Sequence, residues 1–413
     1  MSTTYKTIAG DTFSSIARQA YGDEKRSGSI VSSNPAIKEP LQAGTVLTIP
    51  KLHDRIQDDI TDNSAPSGVE VYIDGKKVSV WATVSLSIAI DKIAMLSLTV
   101  PFDHKNEEFK ALYKPFTFKE CIVKIEGGVK FKGTIINISP TVTAKNRDLN
   151  ITAYAKCRVL NDCDVPASNL DKKSFRDTYI KTIASELSEI YGIKTVFAEG
   201  VESSDKIKYV AIEAQESILR FLTDVAKQSG LLITSNENGD LYFHKESEKV
   251  QAVAYFEQGE APLLKVNSTF SGQNYYSDVS IIRSSVIISG GGTVKTATNP
   301  FLTDVFRSKT YRRPDVKVGS EEAAAKNQLG KMFANAASYE IVISTWHDSN
   351  GDLFKPNTFI DLKAPDAMVY EKYTFLVRTV ILERTEKGQI AILRLALPGT
   401  YNNNMGSELP WAS

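Results

Sequence analysis

Between Val69 and Ala155 apolar and polar residues alternate over short runs, a period of two that predicts half-buried β-strands. The runs are Val69–Ile73, Lys76–Val80, Trp81–Ile90, Ala94–Val100, Phe116–Glu126, Val129–Ser139 and Leu149–Ala155. Asp74-Gly75 favours the two-residue hairpin turn with positive φ at both positions, and Gly127-Gly128 marks a second turn. Residues 69–160 are therefore predicted as an antiparallel barrel or sandwich. Residues 161–262 are mixed. Ser174 with Asp177 reads as a capped helix start; Tyr179, Ile183, Leu187 and Ile190 share one face, and Gly192 closes the helix. A second helix over Gln215–Ser229 turns Ile218, Leu219, Leu222 and Val225 inward. It leads into strand Leu231–Thr234, a turn at Asn238-Gly239, and strand Leu241–Phe243. Residues 263–401 return to strand texture at Leu263–Ser271, Tyr276–Ser289, Tyr339–Trp346, Thr358–Leu362, Tyr373–Thr385 and Gln389–Leu397. Gly290–Gly292 reads as a hairpin tip, and Asn350-Gly351 and Lys387-Gly388 as turns. An Ala-rich helix over 320–337 begins at Ser320 with Glu321 and Glu322 in its first turn. Residues 402–413 form a tail.

Residues 1–50 are a separate module of strand, helix, helix and strand. Asp11 or Thr12 caps the first helix, Ile16, Ala17 and Ala20 line its buried face, and Gly22 ends it. Asn34-Pro35 forces a turn after the second helix, and Leu47 and Ile49 alternate on the closing strand. Residues 51–68, polar and ending in Ser, Pro and Gly, read as a linker.

Forty-nine basic side chains balance 49 acidic ones, which removes the charge excess expected of a nucleic-acid or membrane-surface binder. Three cysteines, Cys121, Cys157 and Cys163, form no CxxC pair, so no disulfide framework is expected. No apolar run is long enough to span a bilayer. The N-terminus lacks a basic start followed by an apolar core, so no signal peptide is expected, and synthesis is assigned to a reducing cytosol.

The search for catalytic chemistry yields nothing. His53, His104, His244 and His347 are scattered, without metal-ligand spacing. His347-Asp348 precedes turn residues. Glu107-Glu108 and Glu321-Glu322 are adjacent, and neighbours on a helix point apart rather than forming an acid and nucleophile pair. Ser289–Gly292 lacks the Lys and helix of a phosphate loop. Arg312-Arg313-Pro314 reads as a solvated loop or subunit ion pair. Phe102, Phe109, Tyr113, Phe116 and Phe118 read as core or interface packing, as do Tyr275-Tyr276. No catalytic residue, metal or cofactor is expected.

Two resemblances add to this reading. Tyr5–Ile8, Gly10-Asp11-Thr12, Ile16-Ala17, Tyr21-Gly22, Asn34-Pro35, Leu41, Gly44 and Leu47–Pro50 resemble the LysM domain. That resemblance implies a βααβ fold with a shallow groove, lined by Gly10, Asp11, Thr12 and Phe13, with Asn34, Pro35 and Ile37 opposite. LysM grooves can bind N-acetylglucosamine glycans such as peptidoglycan; without an export signal, docking on another protein ranks ahead. The same Asp11, Thr12 and Asn34 are also what caps and turns require.

Residues 69–401 resemble the baseplate hub proteins of contractile, Mu-like phage tails, through the strand-rich first domain, the stretch Gln215–Gly230 with its hairpin, and the closing strands Phe375–Leu397 before Pro398-Gly399. The fold class implied is α+β and β-dominated, a LysM module followed by two barrel-like β-domains with an α/β domain between. The resemblance further implies a homotrimeric structural hub in the virion. Its ring joins the sixfold tail tube to the threefold central spike and lines the DNA channel, with DNA only in passage. Tail tube and baseplate wedge proteins are the implied neighbours, with the tape measure protein and peptidoglycan as further candidates. The competing reading is a cell-wall-lytic or peptidoglycan-binding protein anchored by its LysM module.

Overall fold

In the computed structural model, residues 3–21, 24, 27–34, 37–49, 68–143, 147–201, 206–213, 215–282, 294–312, 321–386, 388–402 and 408–412 are described. The chain divides into two compact units, 1–68 and 69–413. In the first, strand Thr3–Lys6 pairs antiparallel with Val46–Ile49, and helices Phe13–Tyr21 and Ser27–Ser33 lie between them in sequence. Phe13, Ile16, Ala17, Ile30, Leu41, Leu47 and Ile49 form its core, with Tyr5 and Ile37 packed against it. Ala20, expected on the buried face, is exposed. Gly22 and the linker residues 51–67 lie outside the described residues.

The second unit is organised by one sheet of 13 strands. Its first part runs in the order Thr83–Ala89, Met95–Pro101, Arg147–Ala155, Gly128–Val142, Glu120–Ile125, Val69–Ile73 and Lys76–Lys77, all antiparallel. The alternation read from sequence is realised in Val69–Ile73, Met95–Pro101 and Glu120–Ile125, where every second side chain is buried, whereas the run Lys76–Val80 is strand only over the exposed Lys76–Lys77. Asp74 and Gly75 both have positive φ, as that turn requires. The other turn is formed by Glu126 and Gly127, both at positive φ, while Gly128 already pairs with Ile125. The run beginning at Phe116 becomes strand only at Glu120. Phe116 and Phe118 sit at positive φ and are 89% and 61% exposed, so neither joins the core. A short helix, Glu107–Leu112, capped by the Asn106 side chain, precedes them.

The long strand Val369–Thr385 continues the sheet. Residues Thr379–Thr385 pair with Thr83–Ala89, so the two β-rich segments share one hydrogen-bonded ladder. Its other side pairs with Gly388–Ala396, then Ala337–Ile343, then Leu263–Phe270. Ala252–Glu257, which the sequence grouped with the middle segment, pairs in parallel with Phe359–Ala364 and so belongs to this sheet. A separate three-stranded sheet, Asp278–Ile282 with Val294–Thr298 and Ser308–Arg312, packs against helix Glu321–Ala336. Phe333 of that helix meets Tyr275 and Phe301 edge-on. Ser320, Gly290–Gly292, Arg313-Pro314 and Lys387 lie outside the described residues.

The middle segment corrects one expectation. Ser174–Thr178 is a strand, paired with Ile207–Ala211, and not a capped helix start. Phe175 is buried there, and pairing with a partner strand outweighs the local capping pattern. The helix begins instead at Ile180 with extended Tyr179 before it, and Ile183 and Leu187 are fully buried as the periodicity required. The next helix is Ile218–Gln228, capped by Ser217 and ended by Gly230 at positive φ. It packs beside a sheet of Thr195–Phe197, Leu241–His244 and Leu232–Ser235.

Candidate functional site

In the small unit, Gly10 and Thr12 are exposed, Asp11 is half-buried and Phe13 is buried. The Asp11 carboxylate accepts the Ile8 N–H at 2.8 Å and the Tyr5 hydroxyl at 3.1 Å. Thr12 and Ser15 cap the helix reciprocally, each side-chain oxygen accepting the other residue's N–H. Asn34 is buried. Its amide nitrogen donates to Ile30 O at 2.7 Å and Thr48 O at 2.8 Å, and its Oδ1 accepts the Thr48 N–H at 2.8 Å. Both donors of Asn34 are spent tying the second helix to the closing strand, leaving none for a ligand. Ile37 packs on the core, and Pro35 lies outside the described residues.

A polar seam in the large unit escaped the sequence reading. The turn after strand Thr83–Ala89 is held from two directions. Thr234 Oγ1 contacts Ala89 O at 2.8 Å and Lys92 O at 2.7 Å, and Ser235 Oγ accepts the Ala94 N–H. From the other side, Arg378 Nη2 reaches Asp91 Oδ2 at 3.0 Å, and the Tyr401 hydroxyl donates to the same oxygen at 3.1 Å. His244, one of the scattered histidines, places Nε2 2.8 Å from Ile90 O, while Asn357 Nδ2 lies 3.4 Å from Nδ1. Nδ1 also lies 3.2 Å from Lys245 O, so each ring nitrogen faces a backbone carbonyl. Burial pushes the ring's pKa below the ordinary histidine value, against the pull of the Ile90 and Lys245 carbonyls and of Asp91.

Glu246 is buried, and its two oxygens accept the N–H groups of Gly399 at 2.7 Å and Tyr401 at 2.8 Å. Burial raises its pKa, and the backbone donors oppose that shift. These groups join residues from all three sequence segments into one structural joint. Pro398-Gly399 was legible as the pair that follows the closing strands; the acid that holds Gly399 carried no local signal.

Other candidates resolve into structure. His347 Nε2 meets Glu126 Oε1 at 2.8 Å, and Asp348 Oδ1 accepts the N–H groups of Asn350 and Asp352 in a tight turn. Glu107 pairs with Lys110 and Glu108 with Lys76, so the doublet does point apart. Tyr113 is buried and Phe102 and Phe109 pack on the core. Cys121 and Cys157 are buried free thiols pushed up to about 12 by burial. Among the described residues no group of three metal-ligating side chains gathers.

Unpaired edges and exposed apolar side chains are the features left for function. Leu263–Phe270 ends the sheet path, with Leu264 and Phe270 exposed, and Phe306 is 83% exposed beside Val305.

That fold is the fold of phage tail proteins. It matches the 43 kDa tail protein of prophage MuSo2 from Shewanella oneidensis with a TM-score of 0.69 and 18% identity, over 80% of this chain and 98% of that one. A tail protein from Neisseria meningitidis MC58 matches at 0.66 and 16%, over 81% and 98%. Residues 157–245 match the family described as baseplate hub protein gp44-like, second domain. Among individual proteins, the chain is similar to baseplate hub protein gp44 of Escherichia phage Mu, 23% identical over 319 residues, 72% of this chain and 79% of that protein.

Proposed function

We propose that this chain is the structural baseplate hub of a contractile phage tail, carried in the virion. In this reading three copies form a ring that joins a sixfold tail tube to a threefold central spike, with the DNA channel through its middle. Similarity to the Mu hub protein over most of both chains carries the reading. Its physical support is a sheet that spans both β-rich segments and ends on Leu263–Phe270, a strand with one hydrogen-bonded neighbour among the described residues. A closed ring of identical subunits covers such edges. Tube, wedge and tape measure proteins are the neighbours this role requires. Sedimentation of the purified chain with its co-expressed spike tests the proposal: a trimer is expected, and a persistent folded monomer overturns it.

The first unit, on this reading, is a LysM module that docks on a neighbouring baseplate protein. Its element order of strand, two helices and strand supports that assignment. Pull-down with insoluble peptidoglycan distinguishes the two ligands, with no retention expected. Thr12→Ala is the appropriate groove variant. Asn34→Ala instead is expected to cost about 2–3 kcal/mol of local stability, because its lost hydrogen bonds are buried. Amide exchange over residues 13–33 and 46–49 reads that loss, and unchanged protection would show that Asn34 is free for a ligand.

A further inference from the structure

A cleft of about 670 Å³ opens beside the seam, between the turn 89–95, the segment 154–161, helix Ile218–Gln228 and the strands bearing Thr379 and Arg394. Its size falls in the range of about 300–1,000 Å³ usual for ligand sites. Five basic side chains line it, Lys92, Arg158, Arg220, Lys227 and Arg394, against the carboxylates of Asp91 and Asp224. Three of the five are already answered. Arg158 pairs with Asp162, Lys227 with Asp224 and Arg394 with Glu340. Asp91 is engaged by Arg378. Lys92 and Arg220, both exposed, have no ion pair among the described residues. The rest of the lining mixes apolar Ile93, Met95 and Leu219 with polar Asn161, Thr223 and Thr379.

We infer that this cleft docks a short acidic segment of a partner protein, in which two carboxylates flank apolar side chains. The carboxylates meet Lys92 and Arg220, and the apolar residues cover Ile93, Met95 and Leu219. Charge complementarity of this kind sets specificity and register at a protein interface. Nucleic acid fits less well. Two uncompensated cations answer two phosphates of a polymer that carries one charge per about 1.7 Å. The one aromatic face in the lining, Tyr154, is covered by the Arg158 guanidinium at 4.7 Å, so no ring is free for a base to stack on. The inference goes beyond the hub reading and does not depend on it, since it concerns a monomer surface.

The test uses the full chain and a fluorescein-labelled peptide, Gly-Glu-Leu-Leu-Glu-Gly, read by fluorescence anisotropy. Saturable binding is expected, and Lys92→Glu with Arg220→Glu should weaken it about tenfold or more. The conservative pair Lys92→Arg and Arg220→Lys should retain binding, as should the remote Lys114→Glu. Melting temperatures confirm that each variant is folded, and the single reversals, each weakening binding in part, cover any failure of the double variant. The Gln-for-Glu version of the peptide should not bind. Absence of saturable binding, equal binding by the reversed variant, or displacement of the peptide by an equal concentration of duplex DNA overturns the inference.

Discussion

Arg378 and Asp91, 287 positions apart in sequence, meet at 3.0 Å where the two β-rich segments join. The side chains keep 28% and 22% of their exposure, so water screens the pair in part, and Tyr401 shares the same carboxylate oxygen. Removing the cation leaves a half-buried carboxylate short of one donor. Arg378→Met is therefore expected to lower the free energy of unfolding by about 2 kcal/mol. Adding Asp91→Asn should return part of that loss. Urea titrations of the four-member cycle decide the matter, and additive losses would mean that the pair does not couple the segments.

His244 makes the same joint sensitive to acid. Its folded pKa lies below the usual histidine value, so the native ring stays neutral while the unfolded ring takes a proton near pH 6.5. The contribution is complete above about pH 6.5 and is lost as pH falls from there toward the folded pKa. Stability measured at pH 7.5 and 5.5 should fall more steeply for the wild type than for His244→Gln, whose amide can still donate to Ile90 O. Identical slopes would remove His244 from the account.

Gly239 predicts a packing limit. It lies at φ +81°, and a Cβ there would meet Lys132 O at 2.2 Å and Lys156 at 3.0 Å. The Cys157 N–H also donates to Gly239 O. Gly239→Ala must push the hairpin off the first β segment, at an expected cost of about 2–3 kcal/mol. Thermal melting reads this, and a shift under about one degree would show that the hairpin yields freely.

Thiol chemistry offers an independent measure of burial. Cys121 and Cys157, pushed up to about 12 by burial, should not react with a thiol reagent in the native protein at pH 8. Half-buried Cys163 is the candidate for reaction, and all three should titrate in denaturant. Rapid labelling of a second native thiol would place one of the buried strands closer to solvent.

Local chemistry explains which elements the sequence revealed. Asp74-Gly75 and the Gly230 that ends its helix act within a few residues, through φ preference, and each stands where those rules require. Ser174 shows the limit of the same rules. Its capping pattern was genuine, but Ile207–Ala211 supplied a strand partner that no local signal announces. In the small unit the sequence marked Asp11, Thr12 and Asn34 without separating ligand contact from structure. The three hydrogen bonds of Asn34 give that residue to structure.

By itself the sequence determined the alternation of the strands, the amphipathic helices, most turns and the lack of catalytic spacing, because these depend on neighbours two to four positions away. Only the tertiary structure decided that Thr83–Ala89 pairs with Thr379–Thr385, that Ala252–Glu257 joins the sheet, and that Asp91, His244, Glu246, Arg378 and Tyr401 meet in one joint. Strand pairing and buried charge are satisfied by whichever groups the folded chain brings within about 3 Å, and sequence distance does not limit that choice.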